Sequence, residues 1–429
     1  MNIDVEINKT MKELFILSKN NREELSKLVD RYLIPSINEK QYLAEISTPY
    51  ELRQDMLDKL PVVFWTKPRT IFEPCSGKGG FLIDIVNRFM IGLEDTFPDP
   101  SIRYKFIVEE CLYFSDISKL NIFIGVLLLD PRNVYKLNFN VGNTLKLDTL
   151  KKWGLTGFDA VIGNPPYQLK VGEKKTQPIW NLFFKKCITI LNHEGFLLFV
   201  HPSGWRSPDG VFKDVFNMIR ERKLIFLSMN DFKEGQRVFN SGTNFDYYVL
   251  KNVNEECETK IEDIHGNISK VNLNKWDFIP SGEFELFKKI IRGDKKTEVL
   301  HNFSMYETRK PYMSKIKDSV YKYPCSYSIT QKDGMNIIYS DRKLGHFGIP
   351  KVIWSNGAGT YPIIDEKGKY GLTQFSYAIA DSPENLPKIE SAMNSKKFID
   401  LMSYVKFTEN KYNYKVISLF RKDFWKEFI

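Results

Sequence analysis

Thr70-Ile71-Phe72-Glu73-Pro74-Cys75-Ser76-Gly77-Lys78-Gly79-Gly80-Phe81-Leu82 is the stretch that decides the fold. An apolar strand ends on an acid and a proline, a glycine turn follows, and a helical pattern begins at Gly80. A strand, a G-x-G turn and a helix N-terminus in that order make a cofactor site of the nucleotide type, at the head of a doubly wound α/β sheet. The turn matches neither the phosphate-binding G-x-x-x-x-G-K-[ST] pattern nor G-x-G-x-x-G. Its glycines let backbone approach a ligand closely. Glu73 adds negative charge, which suits a ligand bearing an amine and a sulfonium better than a pyrophosphate.

A second apolar run, Phe158-Asp159-Ala160-Val161-Ile162-Gly163, reads as a strand and ends at Asn164-Pro165-Pro166-Tyr167. Consecutive prolines remove two backbone donors and fix two φ angles at about −65°, so the Asn164 side chain and the Pro165 carbonyl are rigid acceptors. An exocyclic amine on a heteroaromatic ring is a poor nucleophile because its lone pair is delocalised. Two acceptors taking its hydrogens localise that pair while the Tyr167 ring stacks on the base. Taken alone, the tetrapeptide also reads as a proline-rich turn; the glycine turn upstream is what favours a site.

Glu73-Pro74-x-x-Gly77-x-Gly79-x-Phe81-Leu82 followed by Asn164-Pro165-Pro166-Tyr167, with Ser47-Thr48-Pro49 ahead of both, resembles the gamma-class DNA adenine-N6 methyltransferases, the group that includes the TaqI modification enzyme. The resemblance runs over residues 47–252. It implies a Rossmann-like doubly wound methyltransferase sheet, S-adenosylmethionine as cofactor and double-stranded DNA as substrate. It also implies a flipped-out adenine methylated on N6, in a restriction-modification or similar DNA-marking role. By the same resemblance Thr48 helps hold the methionine end of the cofactor, beside Glu73, Pro74, Cys75, Ser76, Gly77 and Gly79. Asn143 stands where family members commonly carry an aspartate that accepts from the cofactor adenine; it can accept through its amide oxygen but brings no charge. Asn164, Pro165, Pro166 and Tyr167 are the catalytic set, and Phe239 is chosen as the aromatic that stacks on the opposite face of the adenine.

Composition sets the bounds. The chain of 429 residues is long enough for two domains or three. Lys+Arg number 62 against 53 Asp+Glu, a formal net charge of +9, and residues 301–429 hold +7 of it; such an excess points toward a polyanionic partner. Cys75, Cys111, Cys187, Cys257 and Cys325 form no C-x-x-C and no paired spacing, which excludes a zinc site and a disulfide framework and fits a reducing interior. The longest apolar run, Ile122 to Leu129, is far short of the ~20 residues that cross a bilayer. The expectation is a soluble cytoplasmic protein without metal, monomeric, with any cognate restriction endonuclease a separate protein.

In chain order, residues 1–46 read as an amphipathic helical arm that either packs over the catalytic domain or meets another subunit. Ser47 or Thr48 opens a helix with Pro49 at its first position. Asp116 ends the second strand, where an acid binds ribose hydroxyls, with Glu109 and Glu110 as rivals. Residues 168–177, with Lys170, Lys174 and Lys175, read as a loop that clamps the substrate backbone or is merely solvated. His201 has the chemistry of a general base, although methyl transfer to an amine needs none beforehand. The last two strands are expected at 225–229 and 245–250, and the methyltransferase domain at 47–252. Residues 253–429, where lysines interleave with Tyr306, Tyr312, Tyr321 and Tyr323, read as a mixed α/β target-recognition domain. An RNA guanine-N2 or adenine-N6 methyltransferase and a protein-glutamine methyltransferase use a similar tetrapeptide and are the alternatives; the early Thr-Pro segment and the basic C-terminal extension speak for DNA. A noncatalytic DNA-binding subunit is the third reading, and the intact motifs speak against it.

Overall fold

A nine-stranded sheet carries the first part of the chain. Its strands are Ile71–Glu73 (β1), Leu112–Asp116 (β2), Asn138–Val141 (β3), Phe158–Gly163 (β4), Leu191–Pro202 (β7), Lys223–Asn230 (β8), Phe245–Lys251 (β9), Thr259–Glu262 (β10) and Ile268–Val271 (β11). Gln168–Val171 (β5) and Lys175–Pro178 (β6) form a separate antiparallel ribbon. In the computed structural model, which describes residues 21–35, 46–171, 175–208, 210–355, 361–407 and 413–429, the sheet order is β11-β10-β8-β9-β7-β4-β1-β2-β3. From β3 to β7 all pairs are parallel. β9 runs antiparallel to both β7 and β8. This is the doubly wound α/β sheet expected from the glycine turn.

The sequence of these strands explains their place. β1 and β2 are buried along their whole length, as strands covered on both faces must be, so they read as continuous apolar runs. The covering helices include Tyr50–Asp58 (α2), Gly80–Gly92 (α3), Lys119–Leu129 (α4) and Trp180–Thr189 (α5). From β1 the chain winds to β2 and β3 on one side, then returns to β4 on the other, so the winding reverses at the β1–β4 pair. There Ile71 faces Ala160 and Phe72 faces Val161. A reversal of this kind opens a crevice at the carboxyl ends of the two strands.

Arg22–Tyr32 (α1) belongs to this unit: Leu25, Leu28 and Val29 pack against Ile83 of α3 and against Ile124 and Leu128 of α4. Over its described part the arm therefore packs on the helices of this sheet; residues 1–20 and 36–45 of the expected arm lie outside the described residues. The expected start of α2 is shifted. Pro49 is its N-cap and no side chain caps it, so neither Ser47 nor Thr48 serves that role. The expected loop at 168–177 is the β5–β6 ribbon instead, with Lys174 outside the described residues.

The chain divides into one unit of Met1–Trp205 with Val211–Trp276 and a second of Arg206–Gly210 with Asp277–Ile429. The break thus falls later than the boundary after Asn252 read from composition. Lys260 pairs with Phe226 and Ile261 with Leu227, so β10 adds to the sheet edge at β8 and β11 adds to β10. The strands expected to be last are not.

The second unit is mixed α/β. Glu298–Leu300, Ser376–Ala380, Lys351–Ser355 and Ile363–Asp365 form one four-stranded sheet; Met313–Ser314, Gly334–Ser340, Tyr323–Thr330 and Gly371–Leu372 form another. Helices Phe284–Ile291, Leu386–Asn394 and Lys396–Ser403 accompany them. Tyr306, one of the tyrosines expected to present a stacking face, is fully buried, and its hydroxyl accepts from the Leu344 N–H at 2.5 Å. In the first sheet Lys351 is fully buried. Its ammonium donates to Asp365 Oδ2 at 2.7 Å and to the carbonyls of His346 and Ile349, while Asp365 also accepts from the Lys369 and Tyr370 N–H groups. Removing one member of a buried ion pair strands the other. Lys351→Met is expected to cost about 3–5 kcal/mol, measured as a lowered midpoint in denaturant unfolding of the full chain.

Candidate active site

Glycine at two positions shapes the turn after β1. Gly77 and Gly79 have φ of +49° and +84°, where a Cβ is strained, and Gly79 opens α3 in that conformation. The turn is held from the neighbouring strands. Ser76 N–H donates to the Ser115 carbonyl at 3.0 Å, and Thr144 Oγ1 donates to the Pro74 carbonyl at 2.7 Å. Asp116 Oδ2 accepts from Gly77 N–H at 2.9 Å, and its Oδ1 accepts from Ser118 N–H at 2.8 Å and from Asn121 Nδ2 at 3.3 Å. Much of the carboxylate's acceptor capacity is thus spent inside the protein. Burial still pushes its pKa up, against those hydrogen bonds. Asp116 faces the pocket, but its visible work is to anchor the glycine turn.

The loop after β4 lies beside that turn. A Cβ built on Gly163 would stand 3.3 Å from Pro74 Cδ, so the two strand ends are in contact where the motifs begin. One pocket is lined by Glu73 to Lys78, Thr48, Asp116, Asn143 and Asn164 to Tyr167, with apolar walls from Val29, Leu33, Phe81, Ile117, Ile179 and Phe183. The glycine turn and the proline-stiffened asparagine therefore open on the same side of the sheet, into one space.

Several buried polar atoms of the residues lining this space have no protein partner. Glu73 Oε2, Ser76 Oγ, Asn164 Oδ1 and the Tyr167 hydroxyl are buried without a hydrogen bond. Orphaned buried acceptors are costly, about 1–3 kcal/mol each, and a bound ligand can supply the missing donor. Burial pushes the Glu73 carboxyl well above the usual range, with Arg53 opposing and Asp116 and Asp84 adding to the rise. A carboxyl in that state is poised to regain its charge beside a cation. Asn164 Nδ2 donates to the Ile46 carbonyl at 3.2 Å. The opposite amide orientation would set Oδ1 against the Ile46 carbonyl, acceptor against acceptor, so Nδ2 is the atom on Ile46 and Oδ1 is left without a protein partner.

Cys75 lines the pocket as a neutral thiol, its pKa raised well above normal by burial. Asn143 lines it too, although its Oδ1 accepts from the Leu145 N–H at 3.0 Å as a cap. Phe239 is not among the lining residues. It is 8% exposed, packs on Phe245 at 4.9 Å between centroids, and meets Tyr167 at 6.5 Å with the rings 83° apart. Two rings at right angles do not form the parallel sandwich expected for a base, so that arrangement is absent from this conformation. His201 is fully buried, stacked on Trp180 at 4.0 Å and bonded to the Tyr248 hydroxyl at 2.9 Å. Burial pushes its imidazole down to about 3, which makes it a neutral core group and not a base.

Sequence reasoning passed over Arg53 and Asp84. Both carried a readable signal. Arg53 sits on the face of α2 that buries Met56 and Leu57, and Asp84 interrupts the apolar run Phe81 to Val86 of α3. Opposite charges on two buried faces are the pattern of an internal ion pair, and they meet at 2.6 Å. Ile46 could not be found this way, because its contribution is a backbone carbonyl.

Comparison with known proteins adds an independent observation. Residues 131–239 match the family model of the Eco57I restriction-modification methylase, a segment that contains β3, β4, the Asn164–Tyr167 loop and Phe239. No curated protein sequence matches the chain. Among solved structures, the type IIL restriction-modification enzyme MmeI in complex with DNA aligns at a TM-score of 0.55 and 10% identity, over 93% of this chain and 70% of that one, a shared fold. A chain from a structure of a type I restriction-modification system is 18% identical, with a TM-score of 0.44 over 58% of this chain and 50% of that one. A modification subunit of a putative type I restriction enzyme from Vibrio vulnificus YJ016 is 14% identical, with a TM-score of 0.43 over 76% and 65%. The chain thus spans half to two thirds of the length of these last two proteins.

Proposed function

We propose that this protein is a site-specific DNA methyltransferase of a restriction-modification system, transferring a methyl group from S-adenosylmethionine to N6 of adenine. The observation that carries the reading is the convergence of two orphaned acceptors, Glu73 Oε2 from the end of β1 and Asn164 Oδ1 from the end of β4, on one pocket. The match of residues 131–239 to the Eco57I methylase model supports it from the side of the target base.

The residues present fit the cofactor. Glu73 and Ser76 offer unpaired acceptors for a cationic, amine-bearing ligand, and Phe81, Ile117 and Phe183 offer apolar walls for its base. When bound, the cofactor supplies a methyl group made electrophilic by a sulfonium. Asn164 Oδ1 and the Pro165 carbonyl accept the two hydrogens of the adenine amine, so the nitrogen lone pair is localised toward the methyl carbon. With the methyl carbon passing from sulfur to nitrogen, the C–S bond would break as the N–C bond forms, leaving a neutral thioether; the nitrogen, cationic at that point, would lose its proton to solvent, which agrees with the neutral, buried His201. Tyr167 stacks on the flipped base, and Phe239, perpendicular to it, borders the stacking ring. Thr48, Pro74, Cys75, Gly77, Gly79 and Asp116 shape the cofactor's cradle, Asp116 by holding the turn. The second unit, with most of the net positive charge, is the proposed reader of the DNA sequence.

Incubating the protein with plasmid DNA and methyl-labelled cofactor, then mapping modified bases by sequencing, is expected to return N6-methyladenine at one short sequence. Label on cytosine or on protein, or none, rejects the reading. Asn164→Ala is expected to lower transfer at least 100-fold while cofactor binding is nearly kept, and a full-rate variant removes Asn164 from its role. The raised pKa of Glu73 gives a pH signature. In the free protein the group is protonated below that raised value, and a bound cation favours its ionised form. Affinity for the cofactor therefore climbs as pH rises through it, and Glu73→Gln flattens the slope; calorimetry across pH 5 to 9 checks both.

A further inference from the structure

The segment Ile46 to Tyr50 runs as a strap between the cofactor pocket and the target-base loop, and it is tied down at three points. Asn164 Nδ2 holds the Ile46 carbonyl at 3.2 Å, Arg53 Nη1 holds the Thr48 carbonyl at 2.5 Å, and Asp30 Oδ2 holds the Tyr50 N–H at 2.6 Å. The last two ties meet in one buried cluster. Arg53, whose side chain is 2% exposed, also donates from Nη1 to Asp30 Oδ1 at 2.8 Å, from Nε to Asp84 Oδ2 at 2.6 Å and from Nη2 to Ser26 Oγ at 2.7 Å; Ser26 Oγ in turn donates to Asp84 Oδ1 at 2.7 Å. The space for the guanidinium is cut to size. A Cβ on Gly80 would stand 2.7 Å from Arg53 Cζ.

Within the methyltransferase reading above, on which this inference rests, we propose that Arg53 is a positioning residue: by fixing the strap through the Thr48 carbonyl, it holds the Ile46 carbonyl where it turns Asn164 Oδ1 toward the target amine. Asn164 has one internal hydrogen bond to fix its amide, and the acceptor of that bond is a backbone atom on the strap. A strap that drifts by about 1 Å lets the amide rotate, and misplacement of that size costs on the order of 100-fold in rate. Lysine cannot take its place. A lysine ammonium is a compact point charge that cannot span Asp30, Asp84, Ser26 and the Thr48 carbonyl at once, whereas the planar fork of a guanidinium can.

The test is Arg53→Lys in the full chain, assayed for kcat, for KM of cofactor and DNA, and for fold by circular dichroism and thermal midpoint. A folded variant is expected to lose on the order of 10- to 100-fold in kcat at saturating cofactor, with KM for DNA near wild type. A purely structural arginine gives a lowered thermal midpoint with kcat intact in the folded fraction; that result, or a rise in KM alone, overturns the proposal. Should Arg53→Lys fail to fold, Asp30→Asn decides. Its side chain is 24% exposed, and the change weakens the same tie while leaving the arginine in place. A fall in kcat at saturating cofactor supports the strap, and an unchanged kcat overturns it. Wild-type protein that moves no methyl group onto any DNA rejects the underlying reading, and this inference falls with it.

Discussion

The parallel pairing of β1 with β4 is the constraint on which the site depends. Because Ile71 faces Ala160 and Phe72 faces Val161 with both strands pointing the same way, Glu73 and Asn164 emerge from neighbouring strand ends, although 91 positions separate them in the chain. The interval is filled by β2, β3 and their helices on one side of β1, so the winding must reverse exactly once between these two motifs for them to meet. Slipping or reversing the β1–β4 pair would leave each motif intact and the pocket absent.

Around that junction the protein keeps polar groups buried under two opposite regimes. Thr144, Ser115, Asp116 and the glycine-turn amides satisfy one another, so the turn is rigid before any ligand arrives. Arg53, Asp84, Asp30 and Ser26 do the same behind it. Among the residues that line the pocket, by contrast, Glu73, Ser76, Asn164 and Tyr167 each hold an unpaired atom. A satisfied shell supporting an unsatisfied lining is a preorganised site: the cost of orienting the acceptors is met in folding, and ligand donors complete them.

The elements that were legible and those that were not differ in where their information lies. The strand, glycine turn and helix at 70–82, and the strand ending at Asn164, were legible because glycine, proline and apolar runs act locally. β10 and β11 were missed because Asn252 to Glu258 reads as a polar junction, and only the free edge of β8 makes the next residues a strand. The ribbon at 168–178 reads as a loop in sequence because lysines and a glycine hide the pairing of Leu169 with Gln177. The charge of its neighbours makes Tyr306 read as a surface residue, yet the Leu344 N–H and the surrounding core bury it. His201 shows the reverse case: its chemistry suggested a base, and burial against Trp180 and Tyr248 removed it.

By itself the sequence determined the fold class and the two motifs, since backbone conformations that require glycine or proline and long runs of buried apolar residues are properties of short stretches. The tertiary structure alone decided that both motifs share a pocket, that Asp116 spends much of its carboxylate on the glycine turn, that Phe239 stands across Tyr167 instead of parallel to it, and that Ile46 offers its carbonyl to Asn164. The physical reason is that orientation, burial and hydrogen-bond partnership arise between residues far apart in the chain, and one-dimensional spacing carries no record of which distant groups will meet.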